Sequence, residues 1–330
     1  MTHRYEAFGL SIRSNCRLQG LRTSETSRVD VDVEFDEAGA PEVDHRAADT
    51  TPHTGSGSVR GCEDGGRLLL YASHGGERAW SLRVGGDGRS IEVRWRGPIE
   101  LADVAAFVET TGLPTALVLR GVPLLHGCAV DTGSAAFLVL GPGGAGKSTF
   151  AAAAVAGGNA LLTDDIAALD GAGGHVRVHP GGSELRMNED TAEALGWDPA
   201  ELRRVFATPT LPPKLSVRLS RADGSLCVGA RRVTAIFVLG ERRSRSVTID
   251  RLTPSAALPV ILRNSFGLRA VDTRTRARLV PFWARLAQEV PVHAVAPPDG
   301  LAVAPSLVHA LATAAEACAH ARGSAMEACR

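Results

Sequence analysis

Gly141-Pro142-Gly143-Gly144-Ala145-Gly146-Lys147-Ser148-Thr149 follows the apolar run Ala135-Ala-Phe-Leu-Val-Leu140 and precedes an alanine-rich stretch. The nonapeptide fits G-x-x-x-x-G-K-[ST], a phosphate-cradling loop. Its flanks read as a buried strand running into the loop and a short helix, 147–156, leaving it. Glycines permit the tight dihedrals that turn successive N–H groups onto phosphate oxygens, and the helix adds its positive end. Gly141, Gly143, Gly144, Ala145, Gly146 and Thr149 therefore belong to a triphosphate site. Lys147 suits the outer phosphates and Ser148 suits Mg²⁺. Lys147 is one of two lysines in 330 residues, among 36 basic side chains. A lysine in so arginine-rich a background is not explained by charge alone.

Working outward, Leu161-Leu162-Thr163-Asp164-Asp165-Ile166 brings two carboxylates to the end of an apolar strand, 17 and 18 residues after Lys147. That span holds one helix, one turn and one strand, so the aspartates return beside the loop. In common phosphate-loop NTPases the metal aspartate is usually much further along the chain. Neighbours on a strand point to opposite faces, so the two carboxylates have different tasks. One can hold Mg²⁺ and the other can take a proton from an attacking hydroxyl. The turn reading, an Asp-Asp pair at a strand end, is the bland alternative.

Three further elements join them. His126, in Leu124-Leu125-His126-Gly127, can orient or tune one of the aspartates, or be structural. Glu184 and Arg186, in Pro180-Gly181-Gly182-Ser183-Glu184-Leu185-Arg186-Met187, share a face of an extended segment. They can serve Mg²⁺ and phosphate respectively, or form an exposed charge pair. Lys214, the second lysine, is a candidate phosphate or substrate contact by the same scarcity.

Composition bounds the rest. Hydrophobic residues make up 44% and charged residues 22%, which supplies a core and fits a globular chain of one large domain or two. Thirty-six basic and 36 acidic residues cancel, which argues against broad attraction to nucleic acid or membrane. No signal core opens the chain, and no uninterrupted apolar run approaches the ~20 residues that span a bilayer. A cytoplasmic protein is expected. Cys16, Cys62, Cys128, Cys227, Cys318 and Cys329 form no C-x-x-C pair and no zinc spacing, and read as reduced, buried or incidental thiols. Cys128 reads as core.

The chain divides into a β-rich region over 1–100, a helical connector over 101–120 with a break at Pro114, and a region over 121–330 that carries the loop. Strands are predicted over 29–35, 67–71, 80–84 and 91–95, with a hairpin turn at Gly85-Gly86-Asp87-Gly88. A long loop is predicted over 38–66. Further strands are expected over 135–140, 160–162, 233–239 and 246–250, and helices over 255–263, 274–289 and 306–321.

Together these elements resemble the kinase domain of the HPr kinase/phosphorylase family, whose fold is related to that of ATP-dependent phosphoenolpyruvate carboxykinase. The resemblance runs from Val122 to Asp170 through the His-Gly strand, the loop and the Asp-Asp strand. It continues more loosely through Glu184-Leu185-Arg186, the strand at 233 and the closing helix. It implies an α/β (α+β) kinase domain preceded by a smaller β-rich region. It implies ATP and Mg²⁺ as ligands, Lys147 on phosphate and Ser148 on metal. Asp164 would activate a serine hydroxyl with help from His126, and Asp165 and Glu184 would lie near the metal.

The family's Glu-x-Arg-Gly-x-Gly signature survives only as Glu184-Leu185-Arg186-Met187, which speaks against reverse phosphorylase activity. The opening Tyr5-Glu-Ala-Phe-Gly-Leu10 looks like the HPr-kinase-related proteins of peptide-modifying systems, including lasso-peptide pathways. The expected acceptor is thus a serine hydroxyl of a peptide or small protein, and a homo-oligomer is compatible with the sequence. A nucleotide-gated binding module without phosphotransfer and a small-molecule kinase, for instance of free serine, are the alternatives.

Overall fold

The computed structural model describes residues 1–37, 60–64, 67–74, 77–95, 99–209, 211, 213–242, 246–268 and 271–327. Most of the loop predicted over 38–66 lies outside them, as do Pro212, Cys329 and the side chain of Cys62. Among the described residues the chain is a mixed α/β protein with two eight-stranded sheets and a three-stranded one.

The first sheet holds β1 (His3–Ala7), β2 (Leu10–Ser14), β3 (Arg22–Thr23), β4 (Val31–Asp36), β5 (Arg60–Asp64), β6 (Arg67–His74), β7 (Glu77–Val84) and β8 (Ser90–Trp95). Their spatial order is β3-β1-β2-β4-β8-β7-β6-β5. β4 shows why alternation predicts a strand: Val31, Val33 and Phe35 are buried while their acidic neighbours face outward. The turn predicted at Gly85–Gly88 joins β7 to β8 as an antiparallel hairpin. β5 falls inside the segment expected to be loop, because Arg-Gly-Cys-Glu-Asp lacks an apolar alternation.

A single helical run covers this sheet: α1 (Leu101–Phe107), a π turn (Val108–Gly112) and α2 (Leu113–Leu119). No break occurs at Pro114. The ring of a helical proline crowds the carbonyl four residues earlier and donates no hydrogen bond. Here the Leu113 N–H reaches back five residues to the Val108 carbonyl, and this widened turn passes the proline without ending the helix. Val104, Val108, Leu113 and Leu117 pack with Trp80, Leu82, Ile91 and Val93 in one buried cluster.

The second sheet contains β9 (Leu124–Asp131), β10 (Ala136–Leu140), β11 (Ala160–Thr163), β12 (Ile166–Asp170), β13 (Arg177–His179), β17 (Arg231–Leu239), β18 (Thr248–Arg251) and β19 (Val292–Ala296). The third comprises β14 (Glu184–Met187), β15 (Arg203–Arg204) and β16 (Leu215–Arg218). The intervening helices are α3 (Lys147–Ala156), α4 (Glu189–Ala194), α5 (Pro254–Arg263) and α6 (Thr273–Glu289), with α7 (Ala304–Glu327) last. β10 lies between antiparallel β9 and parallel β17. Phe137 and Val139 enter the core beneath α3 and α7, and Ala136, Leu138 and Leu140 enter the core beneath α5 and α6. Burial on both faces explains the unbroken apolar run before the loop.

Two helical segments of the described residues, 101–119 and 301–321, are long and apolar enough to cross a membrane by length and composition. Neither is an uninterrupted apolar run. The first is mostly buried in the fold, and the second sets Leu307, Val308, Leu311 and Ala315 into the core beside α3.

The N-terminal hairpin grips the segment that leads into β14. Phe8 and Gly9 form the β1–β2 turn, both with positive φ (57° and 77°). The Phe8 N–H donates to the Pro180 carbonyl at 2.6 Å, and the Ser183 N–H to the Gly20 carbonyl at 2.7 Å. A β-carbon at Gly181 would lie 2.9 Å from the Phe8 ring, and one at Gly182 would lie 2.7 Å from the Gly20 oxygen. The Gly181-Gly182 pair is therefore set by the close approach of Thr163 and of the first twenty residues.

Candidate functional site

β10 delivers the chain into the loop, and Gly146 caps α3 with φ 97°, a left-handed conformation that glycine adopts without strain. The first amides of α3 have no partner within the helix and face outward from its N-terminus, the arrangement that attracts anions. Beta-carbons at Gly143 and Gly144 would meet nothing, so open space lies over the middle of the loop. Lys147 is 8% exposed and folds back on the loop, donating to the Gly141 carbonyl at 2.8 Å and the Pro142 carbonyl at 3.1 Å. Burial holds its ammonium below the usual lysine range, against the pull of Asp165. Thr149 meets the Thr191 hydroxyl at 3.3 Å, and Ser148 is half-buried on the same turn.

Asp164 and Asp165 sit on a bend between β11 and β12, both of which pair with β9. The bend sends their side chains to different partners. Asp164 accepts a hydrogen bond from the Arg186 N–H at 3.0 Å. Burial pushes its carboxyl up to about 6, although the Arg186 guanidinium opposes the rise. Asp165 lies 3.2 Å from Nδ1 of His126. The ring of His126 therefore stands on Asp165 and not on Asp164 as expected, because β12 pairs Ile166 with His126 and brings the preceding residue alongside. Burial lowers the imidazole pKa against the pull of Asp165, and Lys147 and Lys214 lower it further, so His126 is neutral near pH 7.

Lys214, exposed just before β16, is close enough for its charge to act on Asp164, His126 and Lys147 together. Glu184 is placed differently from the expectation. Its buried carboxylate is held by Arg203 at 2.5 Å, and that guanidinium already answers its charge. Arg186 likewise spends its guanidinium on Glu109, at 2.9 Å, and meets Asp164 through its backbone.

Mg²⁺ binds through one or two carboxylates plus phosphate oxygens and water, without a full protein cage. Among the described residues no group of three or more His, Cys, Asp and Glu side chains could hold a metal alone. Asp165 with the Ser148 hydroxyl fits that sparse pattern. Cys128, buried under α3, has its thiol pushed up to about 12 by burial and by Asp164, and is inert core as expected.

No protein-family model matches the chain, and no curated protein matches it. Among solved structures it is similar to the Hpr(Ser) kinase/phosphatase from Coxiella burnetii. That likeness has 11% identity and a TM-score of 0.36, and covers 62% of this chain and 96% of the other. A likeness so slight decides neither fold nor activity, and the site stands on its own residues.

Three of those residues escape a reading of motifs. Glu109, on the π turn, accepts from the Gly20 N–H at 2.9 Å and from Arg186. Its only signal is an acid on the buried face of an apolar helix. Arg203 looks like a surface arginine beside Arg204. Arg242 lies across the loop: a β-carbon on Gly146 would come within 2.4 Å of its Nη2, and it pairs with Asp299 at 3.5 Å. Neither arginine has a sequence signal.

The Glu109–Arg186 pair predicts a stability effect. Glu109→Ala strips the Gly20 amide of its acceptor and leaves a largely buried guanidinium without its nearest counter-charge. Such breaks cost about 3–5 kcal/mol, and the remaining pull of Asp164 and Glu184 sets the expected loss near the lower end, about 3 kcal/mol. Urea unfolding measures it, and a loss near zero would show that Arg186 is solvated.

Proposed function

We propose that this chain transfers the γ-phosphoryl group of ATP, with Mg²⁺, to a serine-type hydroxyl of a peptide or small protein. The observation that carries the reading is Asp164: a carboxyl raised to about 6, held by the Arg186 amide and in electrostatic reach of Lys214. A base poised near the working pH is what removal of a hydroxyl proton requires. The loop amides and Lys147 bind and neutralise the phosphates, with Lys147 exchanging its loop carbonyls for phosphate oxygens. Asp165 and Ser148 hold the metal, and neutral His126 fixes the rotamer of Asp165. Mg²⁺, when bound, spreads the charge of the phosphate oxygens. The acceptor oxygen bonds to the γ-phosphorus as the bond to the β-phosphate oxygen breaks. Its proton passes to Asp164, which later releases it to water. A cytoplasmic setting belongs to the same proposal.

The test is transfer of label from γ-labelled ATP to serine peptides and, separately, to free serine. Label on peptide supports the reading, and label on free serine alone replaces it with a small-molecule kinase. Tight ATP binding without any transfer replaces it with a nucleotide-gated module.

A pH dependence follows. Asp164 accepts a proton only when ionised, so kcat/KM rises about tenfold per pH unit below about 6 and levels above it. Initial rates between mildly acid and mildly basic pH check this, and a flat profile through 6 would remove Asp164 from the rate-limiting proton transfer.

A further inference from the structure

A cavity of about 570 Å³ opens beside the candidate site, between the edge of the first sheet and the three-stranded sheet. Arg17, Arg203 and Arg218 line it, with Tyr5, Gln19 and Glu184. Three guanidiniums thus face a single carboxylate, and that carboxylate is bound by Arg203. Arg218 donates to the neutral Gln19 carbonyl at 2.9 Å and makes no ion pair among the described residues. Arg17 is exposed and makes no ion pair among the described residues. In a chain of zero net charge this is a local excess of positive charge in a concave site, the setting that draws in anionic groups.

Its position gives the excess a purpose. Glu184, on the cavity wall, is two residues before Arg186 on β14, and the Arg186 amide holds Asp164. Two residues of strand span about 6–7 Å. Ser216, also on the wall, is two residues after Lys214, whose charge acts on Asp164. A segment lying along this face would put one side chain at Asp164 and another among the arginines. The volume takes several side chains and far exceeds an inorganic ion.

We propose that the cavity docks the acceptor segment and selects acidic side chains a few residues from the target serine. The proposal rests on the phosphotransfer reading, and it gives the first twenty residues a place in substrate choice: Tyr5, Arg17 and Gln19 supply one wall.

The probe is a short fluorescein-labelled peptide alternating serine with glutamate, compared with one alternating serine with glutamine, by fluorescence anisotropy without ATP. The full chain is expected to bind the glutamate peptide at least about tenfold more tightly, with the preference shrinking as salt rises. Arg17→Glu with Arg218→Glu should erase the preference while ATP affinity holds. The milder Arg17→Gln, at an exposed position, should reduce it. Equal binding of the two peptides, or a preference that survives the double reversal, overturns the proposal. Binding preference without label transfer upholds the docking site and removes the kinase reading, whereas transfer without preference does the reverse.

Discussion

Asp164→Asn is expected to cut phosphotransfer by about a thousandfold, within the range a positioned general base supplies, while ATP still binds. The same change should make the protein more stable. The folded-state pKa of about 6 lies above the 3.8 of an ordinary aspartate, so ionised Asp164 opposes folding. The penalty is absent below about pH 4, grows as pH rises to about 6, and is complete above it. Allowing for water that reaches a half-buried carboxyl, it amounts to about 2 kcal/mol near neutral pH. Asparagine removes the charge and keeps an oxygen for the Arg186 N–H. Thermal unfolding should therefore rise by a few degrees near neutral pH and converge with the parent protein in acid. A variant that transfers phosphate at the parent rate would end the assignment of Asp164 as base, and unchanged stability would show its carboxylate to be solvated.

Lys147→Ala is expected to lower phosphotransfer by about 10²–10³, the cost of removing one preorganised charged donor from a developing phosphate charge. ATP affinity should weaken by about tenfold or more, since a hydrogen bond to a charged group contributes about 1.5–3 kcal/mol. The lysine also closes the loop on itself through the Gly141 and Pro142 carbonyls, so the variant loosens the loop. Lys147→Arg is expected to fail nearly as badly. The ammonium is compact enough to reach two adjacent carbonyls in a buried position, whereas a planar guanidinium needs more width. Titration calorimetry with ATP separates binding from transfer. Full ATP affinity in Lys147→Ala would place the nucleotide elsewhere.

What the sequence disclosed was local. The loop, its entry strand and α3 follow from composition and period over some twenty residues, and α3 spans the predicted 147–156. The Asp164-Asp165 pair was legible from its spacing behind Lys147, and Lys214 from the scarcity of lysine. The partners of those residues were not legible. Which aspartate faces His126 depends on how β12 registers against β9. Whether Glu184 is free depends on Arg203, nineteen residues away and on a different strand. Glu109 meets Arg186 across 77 residues. Such pairings are tertiary, and no periodicity encodes them. The β1–β2 hairpin was missed for a different reason: a phenylalanine in a left-handed turn contradicts ordinary turn chemistry, and its contact with Pro180 and Gly181 sustains it.

The carboxylate of Glu109 has one oxygen on the Gly20 amide and the other on Arg186, whose own amide holds Asp164. The β-rich region and the phosphate-loop region are therefore not interchangeable parts. A chimera that grafts a foreign N-terminal region onto residues 121–330 would inherit the phosphate loop intact and lose the strut that holds Arg186 and, through its amide, Asp164. Substitutions at Glu109 or next to Gly20 are therefore expected to reach Asp164 without touching the phosphate loop.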